Sequence, residues 1–335
     1  MQQTSTPSND LIYAATRDGH RLPVIDVTHP RFAVPDDSES VSKLFEAAAH
    51  EERRYRRVPK FIMRLLMKAA ARRSLLVRAI FNPSTTYLDG LSTYVMKLGA
   101  DNLPPPYNEP TDLRIAASPP LVLLRLRTQQ MARLIADGLV AYLDGNAAPL
   151  HLINIGGGPA IDSMNVLLLL NRSQRHLLQQ PIVIHVLDLD EAGPFFGGNA
   201  LTALKADGAS LAGLDVSFDH RRYNWDEPDA LKSLVDELVA AGAIVAASSE
   251  GGLFEYGSDA AILANLETLR TGNVKLVAGS VTSSNEAHRR NIIASRFKLI
   301  PRGLEGFAPL SARAGYRIAQ AETAQLSDQV LLVPA

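Results

Sequence analysis

The sequence predicts an α/β chain in which a mainly helical N-terminal segment, residues 1–146, precedes a parallel sheet with crossover helices over residues 147–335. Three observations predict it. From Leu150 onward, short apolar runs alternate with helical repeats, the pattern of strands joined by crossovers. Ahead of Gly145-Asn146 the apolar residues instead recur at helical spacing, punctuated by proline. Residues 315–335, GYRIAQAETAQLSDQVLLVPA, read as two strands joined by a turn with no helix between them, so the sheet ends in an antiparallel hairpin.

The elements follow in order. MQQTSTPSND is polar, has the composition of a disordered end and lacks the basic-then-apolar order of a signal peptide. LIYAATRDGHRLPVIDVTHPRFAV is an extended arm or hairpin broken at Asp18-Gly19. VSKLFEAAAHEERRYR follows a Ser/acidic run able to cap a helix, and Pro59 opens a second helix, KFIMRLLMKAAARRSLLVRAI, that Asn82-Pro83 ends. A helix running up to Lys97 and a Pro-rich loop lead to the long helix LVLLRLRTQQMARLIADGLVAYL. LHLINIG, PIVIHVLDLD, LDVSFDHR, AIVAASSE and VKLVAGSV are then five strands. The helices PAIDSMNVLLLLNRSQ, FGGNALTALKADG, DEPDALKSLVDELVAAG and SDAAILANLETLRTG lie between them, and SSNEAHRRNIIASRF follows the fifth.

A chain of 335 residues that is 46% hydrophobic and 21% charged can bury a full core. A net charge of -1 gives no global pull toward nucleic acid or an anionic membrane, so a small-molecule partner is expected, with no nucleic acid and no membrane. The absence of cysteine removes disulfides and thiolate chemistry and fits a reducing, cytoplasmic setting. The basic run from Arg53 through Arg78 interleaves with Phe61, Ile62, Leu65, Leu66 and Leu75, which reads as the solvated face of an amphipathic helix.

The chemistry concentrates where strands meet helices. Asn154-Ile155-Gly156-Gly157-Gly158-Pro159-Ala160 joins the first strand to its helix, where glycines let backbone approach a ligand and the helix start offers free amides. The second strand ends in Leu187-Asp188-Leu189-Asp190, and a carboxylate there can accept both hydroxyls of a ribose; Asp188 is the expected contact, with Asp190 solvated or capping. Together they describe a nucleoside site. A dinucleotide fingerprint would place a third glycine at Ile161, which argues against a nicotinamide cofactor.

Asn154 to Ala160 resembles the first motif of class I S-adenosylmethionine-dependent methyltransferases, an acidic residue followed by Gly-x-Gly-x-Gly. Asn154 stands here for the acid and Ala160 for the last glycine. The resemblance runs from Leu150 to the C-terminus and implies a Rossmann-like sheet of seven strands, the last antiparallel. It implies S-adenosylmethionine as cofactor and S-adenosylhomocysteine as product. Gly156 and Gly158 would pass beneath the methionine part, with Asn154 and Gly157 in the same loop. Asp188 would bind the ribose, and Tyr223-Asn224-Trp225 would border the adenine. Ser248-Ser249-Glu250-Gly251-Gly252-Leu253-Phe254-Glu255-Tyr256 corresponds to the fourth motif, where the cofactor site, at Ser248, passes into the acceptor site. The N-terminal helices resemble only the family's habit of roofing the acceptor pocket.

Methyl transfer is an in-line displacement, so alignment and exclusion of water come before any base. For a hydroxyl or acid acceptor, Glu250, Glu255, Tyr256, His220 or His288 could move or orient a proton. For a thioether, no base is needed, and Phe254 and Tyr256 could stabilise the developing cation. Tyr87, Tyr94 and Tyr107 are further acceptor-site aromatics. In the helix before the sheet, Arg127, ahead of Arg125 and Arg133, is the expected partner of the cofactor carboxylate. The fourth strand end offers too few oxygens for a magnesium site. A small-molecule O-, N- or C-methyltransferase is the leading reading. An S-methyltransferase, a nicotinamide oxidoreductase and a non-catalytic binding protein stay open, and the added helices can serve a homodimer interface as well as a lid.

Overall fold

The computed structural model describes residues 11–81, 89–285 and 297–335. The N-terminal decapeptide, Tyr87, His288 and most of the helix expected after the fifth strand lie outside the described residues.

A hairpin of β1 (Tyr13–Ala15) and β2 (Arg21–Pro23) opens the chain, followed by α1 (Ser38–Arg56), α2 (Lys60–Ala70), α3 (Leu75–Phe81), α4 (Gly90–Met96), α5 (Pro110–Ala116) and α6 (Pro119–Leu143). Then come β3 (Leu150–Ile155), α7 (Ile161–Gln174), β4 (Ile182–Leu187), α8 (Ala192–Lys205), β5 (Val216–Arg221), α9 (Asp229–Ala240), β6 (Ile244–Ser249) and the single turn α10 (Leu253–Tyr256). The chain ends with α11 (Asp259–Thr271), β7 (Leu276–Thr282), α12 (Gly303–Arg313), β8 (Tyr316–Glu322) and β9 (Ser327–Pro334).

The seven strands β3 to β9 form one sheet in the order β5-β4-β3-β6-β7-β9-β8, with β9 antiparallel to both its neighbours. Seven strands with the last one antiparallel is the Rossmann-like sheet that the resemblance implies. β3 sits at the centre, paired in parallel with β4 on one side and β6 on the other. The chain leaves β3 first toward β5 and later toward β8, so a crevice opens at the carboxyl ends of β3, β4 and β6, where such sheets bind ligands. β3 and β4 are largely buried on both faces, which is why they read as mainly apolar runs, interrupted by His151, Asn154 and His185.

Two differences from the sequence pattern have local causes. The helix expected over residues 60–80 is broken, because Ser74 caps α3: its Oγ accepts from Val77 N at 2.9 Å and donates to the buried Asp112, which also accepts from Leu76 N at 3.0 Å. Apolar periodicity alone cannot reveal a buried polar cap. In α12, Pro309 lies inside the helix and masks it in sequence.

The N-terminal segment shares its core with the sheet. α6 packs on α7, β7 and β9, and Leu22, Tyr94 and Met131 join Leu152, Ile184 and Val186 in one buried cluster, each side chain contributing roughly 1.5–3 kcal/mol by leaving water. α4 is thereby held over the crevice.

Candidate functional site

A cavity of about 280 Å³ occupies the crevice, near the lower end of the roughly 300–1,000 Å³ usual for ligand pockets. Gly156, Gly157 and Pro159 line it from the β3–α7 loop, Leu187 to Asp190 from the end of β4, and Tyr223 to Asp226 from the loop after β5. Glu250, Gly251, Gly252 and Tyr256 line it from the segment after β6, and Asp89, Gly90, Thr93, Tyr94 and Lys97 from α4 and its cap.

The glycines divide the work. Gly156, at φ +66, carries the Trp225 ring, whose Cζ3 would lie 2.8 Å from an added Cβ. Gly157 leaves room for the Asn154 amide, 2.1 Å from the same imagined atom. Gly158, at φ +56, does not line the cavity: its Cβ position is 2.7 Å from the Gly90 Cα, so it is where the N-terminal α4 presses on the sheet. Its expected place beneath the methionine is therefore corrected to a helix contact. Gly158→Ala meets backbone rather than a movable side chain and adopts an unfavourable φ, which should destabilise the fold by roughly 1–3 kcal/mol. α4 should be pushed off the cavity as well; thermal melting and ligand titration of the variant check both, and unchanged values in each would refute the contact.

Asp188 sits in the middle of the site. Its Oδ2 accepts from Gly158 N at 2.9 Å and its Oδ1 from Asp190 N at 2.9 Å, which fixes the carboxylate plane at the strand end. Burial raises its pKa against those two donors, which lower it. Asp190 accepts from Ala192 N at 3.2 Å and Gly193 N at 2.9 Å, a capping role at the start of α8.

Asn154 is fully buried and outside the lining. Its Nδ2 donates to Asp162 Oδ1 at 2.6 Å and to Ser248 Oγ at 3.2 Å. The acid missing from position 154 thus returns eight residues later, on the first turn of α7, where burial raises the Asp162 pKa and the nearby Glu250 raises it further. Asn154 Oδ1 and Asp162 Oδ2 are buried without a hydrogen-bond partner. Ser248 supports this pair rather than lining the cavity.

Beside them lies a buried ion network. Glu250 accepts from Lys97 Nζ and, through Oε1, from Arg127 Nε at 2.5 Å; Arg127 Nη1 reaches Glu255 Oε1 at 3.0 Å. All four side chains are 7% exposed or less. Burial would raise the Glu250 pKa, but Arg127 and Lys97 together outweigh it and hold the carboxyl down at about 2. Burial, with added repulsion from Arg127, pulls the Lys97 ammonium down against the attraction of Glu250; for Glu255, burial wins and the pKa rises. Two cations share one strong anion.

This arrangement corrects several expectations. Glu250 is too weak a base to take a proton near neutrality and is instead a charge anchor. Arg127 is enclosed by two carboxylates and does not line the cavity; Lys97 is the buried cation that does. His220 turns its Nε2 to the Asp188 carbonyl at 3.1 Å, outside the lining. Phe254 is core, 4.8 Å from Phe307 between ring centres. Tyr107 packs edge-on to His20, away from the cavity. Tyr94 lines the cavity with its ring, but its hydroxyl is used up, donating to Pro23 O at 2.6 Å and accepting from Ile25 N at 2.9 Å. Tyr256, Asn224 and Trp225 do line it, the Trp225 loop being tied down by Asn265 Nδ2 on Trp225 O at 2.8 Å. Lys97 was missed, although its signal is visible: one charge inside Tyr94-Val95-Met96-Lys97-Leu98, whose apolar members are all buried.

No protein-family model matches the chain, and no curated protein matches it. Among solved structures it is similar to a possible exported protein from Bordetella parapertussis, at TM-score 0.53 and 16% identity over 90% of this chain and 98% of that one, which shows a common fold. It also matches magnesium protoporphyrin IX methyltransferase (ChlM) from Synechocystis PCC 6803 with bound SAH, at TM-score 0.41 and 16% identity over 63% of this chain and 85% of that one. A third match is the O-methyltransferase NcsB1 from neocarzinostatin biosynthesis, in complex with S-adenosylmethionine and 2-hydroxy-5-methyl naphthoic acid. The TM-score is 0.37 and the identity 15%, over 64% of this chain and 58% of that one, so this chain spans less than two thirds of it.

Proposed function

We propose that the chain is an S-adenosylmethionine-dependent methyltransferase acting on a small molecule. The observation that carries this reading is Asp188, its carboxylate held by two backbone amides at the end of β4 and facing a side-chain-free stretch, Gly156-Gly157, across one cavity. The donor set fits the cofactor. Asp188 suits a ribose diol, and Asn224 and Trp225 offer an adenine one amide and one aromatic face. Lys97 takes the carboxylate role that sequence gave to Arg127. S-adenosylmethionine supplies an electrophilic methyl group for in-line displacement.

What the chain's own residues add is alignment. α4, seated on Gly158, covers the crevice from above and keeps water from the reacting centre. Among the described lining residues there is no histidine, and Glu250 is neutralised by its cations. This favours an acceptor that needs orientation more than a strong base, with Tyr256 as the orienting group, and it keeps a thioether acceptor beside the oxygen, nitrogen and carbon acceptors.

Trp225 is the only tryptophan in the chain, so one titration reports both affinity and place. Calorimetry with S-adenosylmethionine and S-adenosylhomocysteine should give micromolar-range binding, with a parallel change in tryptophan emission. Binding of NADH in place of both would overturn the proposal; tight cofactor binding without turnover on any acceptor would point to the non-catalytic reading.

A further inference from the structure

We infer that α2 and the basic residues flanking it form a docking surface for an anionic lipid bilayer, held at the membrane surface rather than across it. Four of the eight large apolar side chains exposed among the described residues fall in one window of α2. They are Phe61 (66%), Ile62 (38%), Leu65 (65%) and Leu66 (54%). Spaced at i, i+1, i+4 and i+5, they share one helix face. That face is left open, since α2 packs chiefly against α3, which follows it in the chain. Exposure of a contiguous apolar face on this scale marks a contact surface.

Charge says what covers it. From Arg53 to Arg78 the sequence holds ten lysines and arginines and not one aspartate or glutamate, in a chain whose net charge is -1. Arg57, Lys68, Arg72 and Arg73 are exposed at the two ends of the helix. A strongly amphipathic helix with apolar residues on one face and basic residues around it is what lies in the headgroup layer of an anionic membrane. A second copy of this chain is a poor occupant, since a two-fold contact sets like patch against like and would bring two uninterrupted basic runs together. Nucleic acid would satisfy the charges but leave the aliphatic face without a partner. α2 spans 11 residues, too short to cross a bilayer, and no described helix is long and apolar enough to do so. The proposal revises the expectation of no membrane contact and is independent of the catalytic reading.

The test is flotation of the full chain with vesicles of phosphatidylcholine, with and without phosphatidylglycerol, at low and high salt. The wild type should float only with the anionic vesicles, and less at high salt. Phe61→Asp with Leu65→Asp, and separately Arg72→Glu with Arg73→Glu, should each weaken binding at least about tenfold while leaving the melting temperature unchanged, since all four side chains are exposed. Equal partitioning onto neutral vesicles, no flotation, or flotation that either double variant retains would overturn it. So would a wild-type dimer in sedimentation that the Phe61/Leu65 variant breaks, or duplex DNA binding that survives that variant.

Discussion

Asp188→Ala should lower the affinity for S-adenosylhomocysteine by at least about 100-fold. Two hydrogen bonds from ribose hydroxyls to a carboxylate contribute roughly 1.5–3 kcal/mol each, and each 1.4 kcal/mol is about a factor of ten. The substitution also takes the acceptor away from Gly158 N and Asp190 N, so the loop and the strand end lose their mutual anchor. Asp188→Asn separates the two effects. It keeps the side-chain volume and one carbonyl acceptor but sets its NH2 against Gly158 N or Asp190 N, so it should melt below the wild type and still bind weakly. Because burial raises the Asp188 pKa, the group begins to take up a proton at a higher pH than an exposed aspartate does. Ligand hydroxyls need the charged form, so affinity should fall as pH drops through that raised value, and should begin to fall sooner than an ordinary carboxylate would dictate. Calorimetry across mildly acidic pH checks this. A folded Asp188→Ala protein that binds like the wild type would remove the ribose assignment and, with it, the main support for the cofactor.

The contrast between Asp188 and Arg127 shows how far a sequence reaches into such a site. Asp188 was legible because its place is set by topology: a polar residue after a buried parallel strand has nowhere to go but the sheet's carboxyl edge. The succession of strands and helices along the chain was legible too, each apolar run and each helical repeat being long enough to show its period, whereas their order in the sheet comes from the fold. Arg127 and Lys97 were not, since helical periodicity in α6 and α4 does not say how either helix is placed on the sheet, and which cation faces the cavity depends on helix rotation. Asn154 and Asp162 show a third case. The change from acid to amide is visible at once, but its compensation comes from one turn into α7, and only the fold brings the two side chains within 2.6 Å. Likewise, helical periodicity in α2 reveals an apolar face without saying whether anything covers it.

Glu250→Gln should destabilise the protein by about 3–5 kcal/mol, a drop in melting temperature on the order of 5–10 °C. The reason is asymmetry: Lys97 and Arg127 stay buried and lose the one carboxylate that both hold, while the amide offers them only a neutral oxygen. The direction of the pKa agrees, because the same two cations that hold Glu250 keep its carboxyl low. Glu250 moves from 4.5 to about 2 on folding, worth about 3 kcal/mol by linkage. Since the folded value is the lower one, this stability is present above the unfolded pKa and is lost as pH falls through the folded one. The gap in melting temperature between wild type and Glu250→Gln should therefore be widest near neutrality and should close as pH falls from 4.5 toward 2. Glu255→Gln should do much less, because burial already raises the Glu255 pKa and Arg127, its ion-pair partner, keeps Glu250. The network joins α4 and α6 to the end of β6, so the Glu250 variant should also loosen the roof of the cavity and weaken cofactor binding. A Glu250→Gln protein as stable as the wild type at neutral pH, or a gap that does not change with pH, would mean that the two cations find other partners and that the network is not what fixes the N-terminal segment to the sheet.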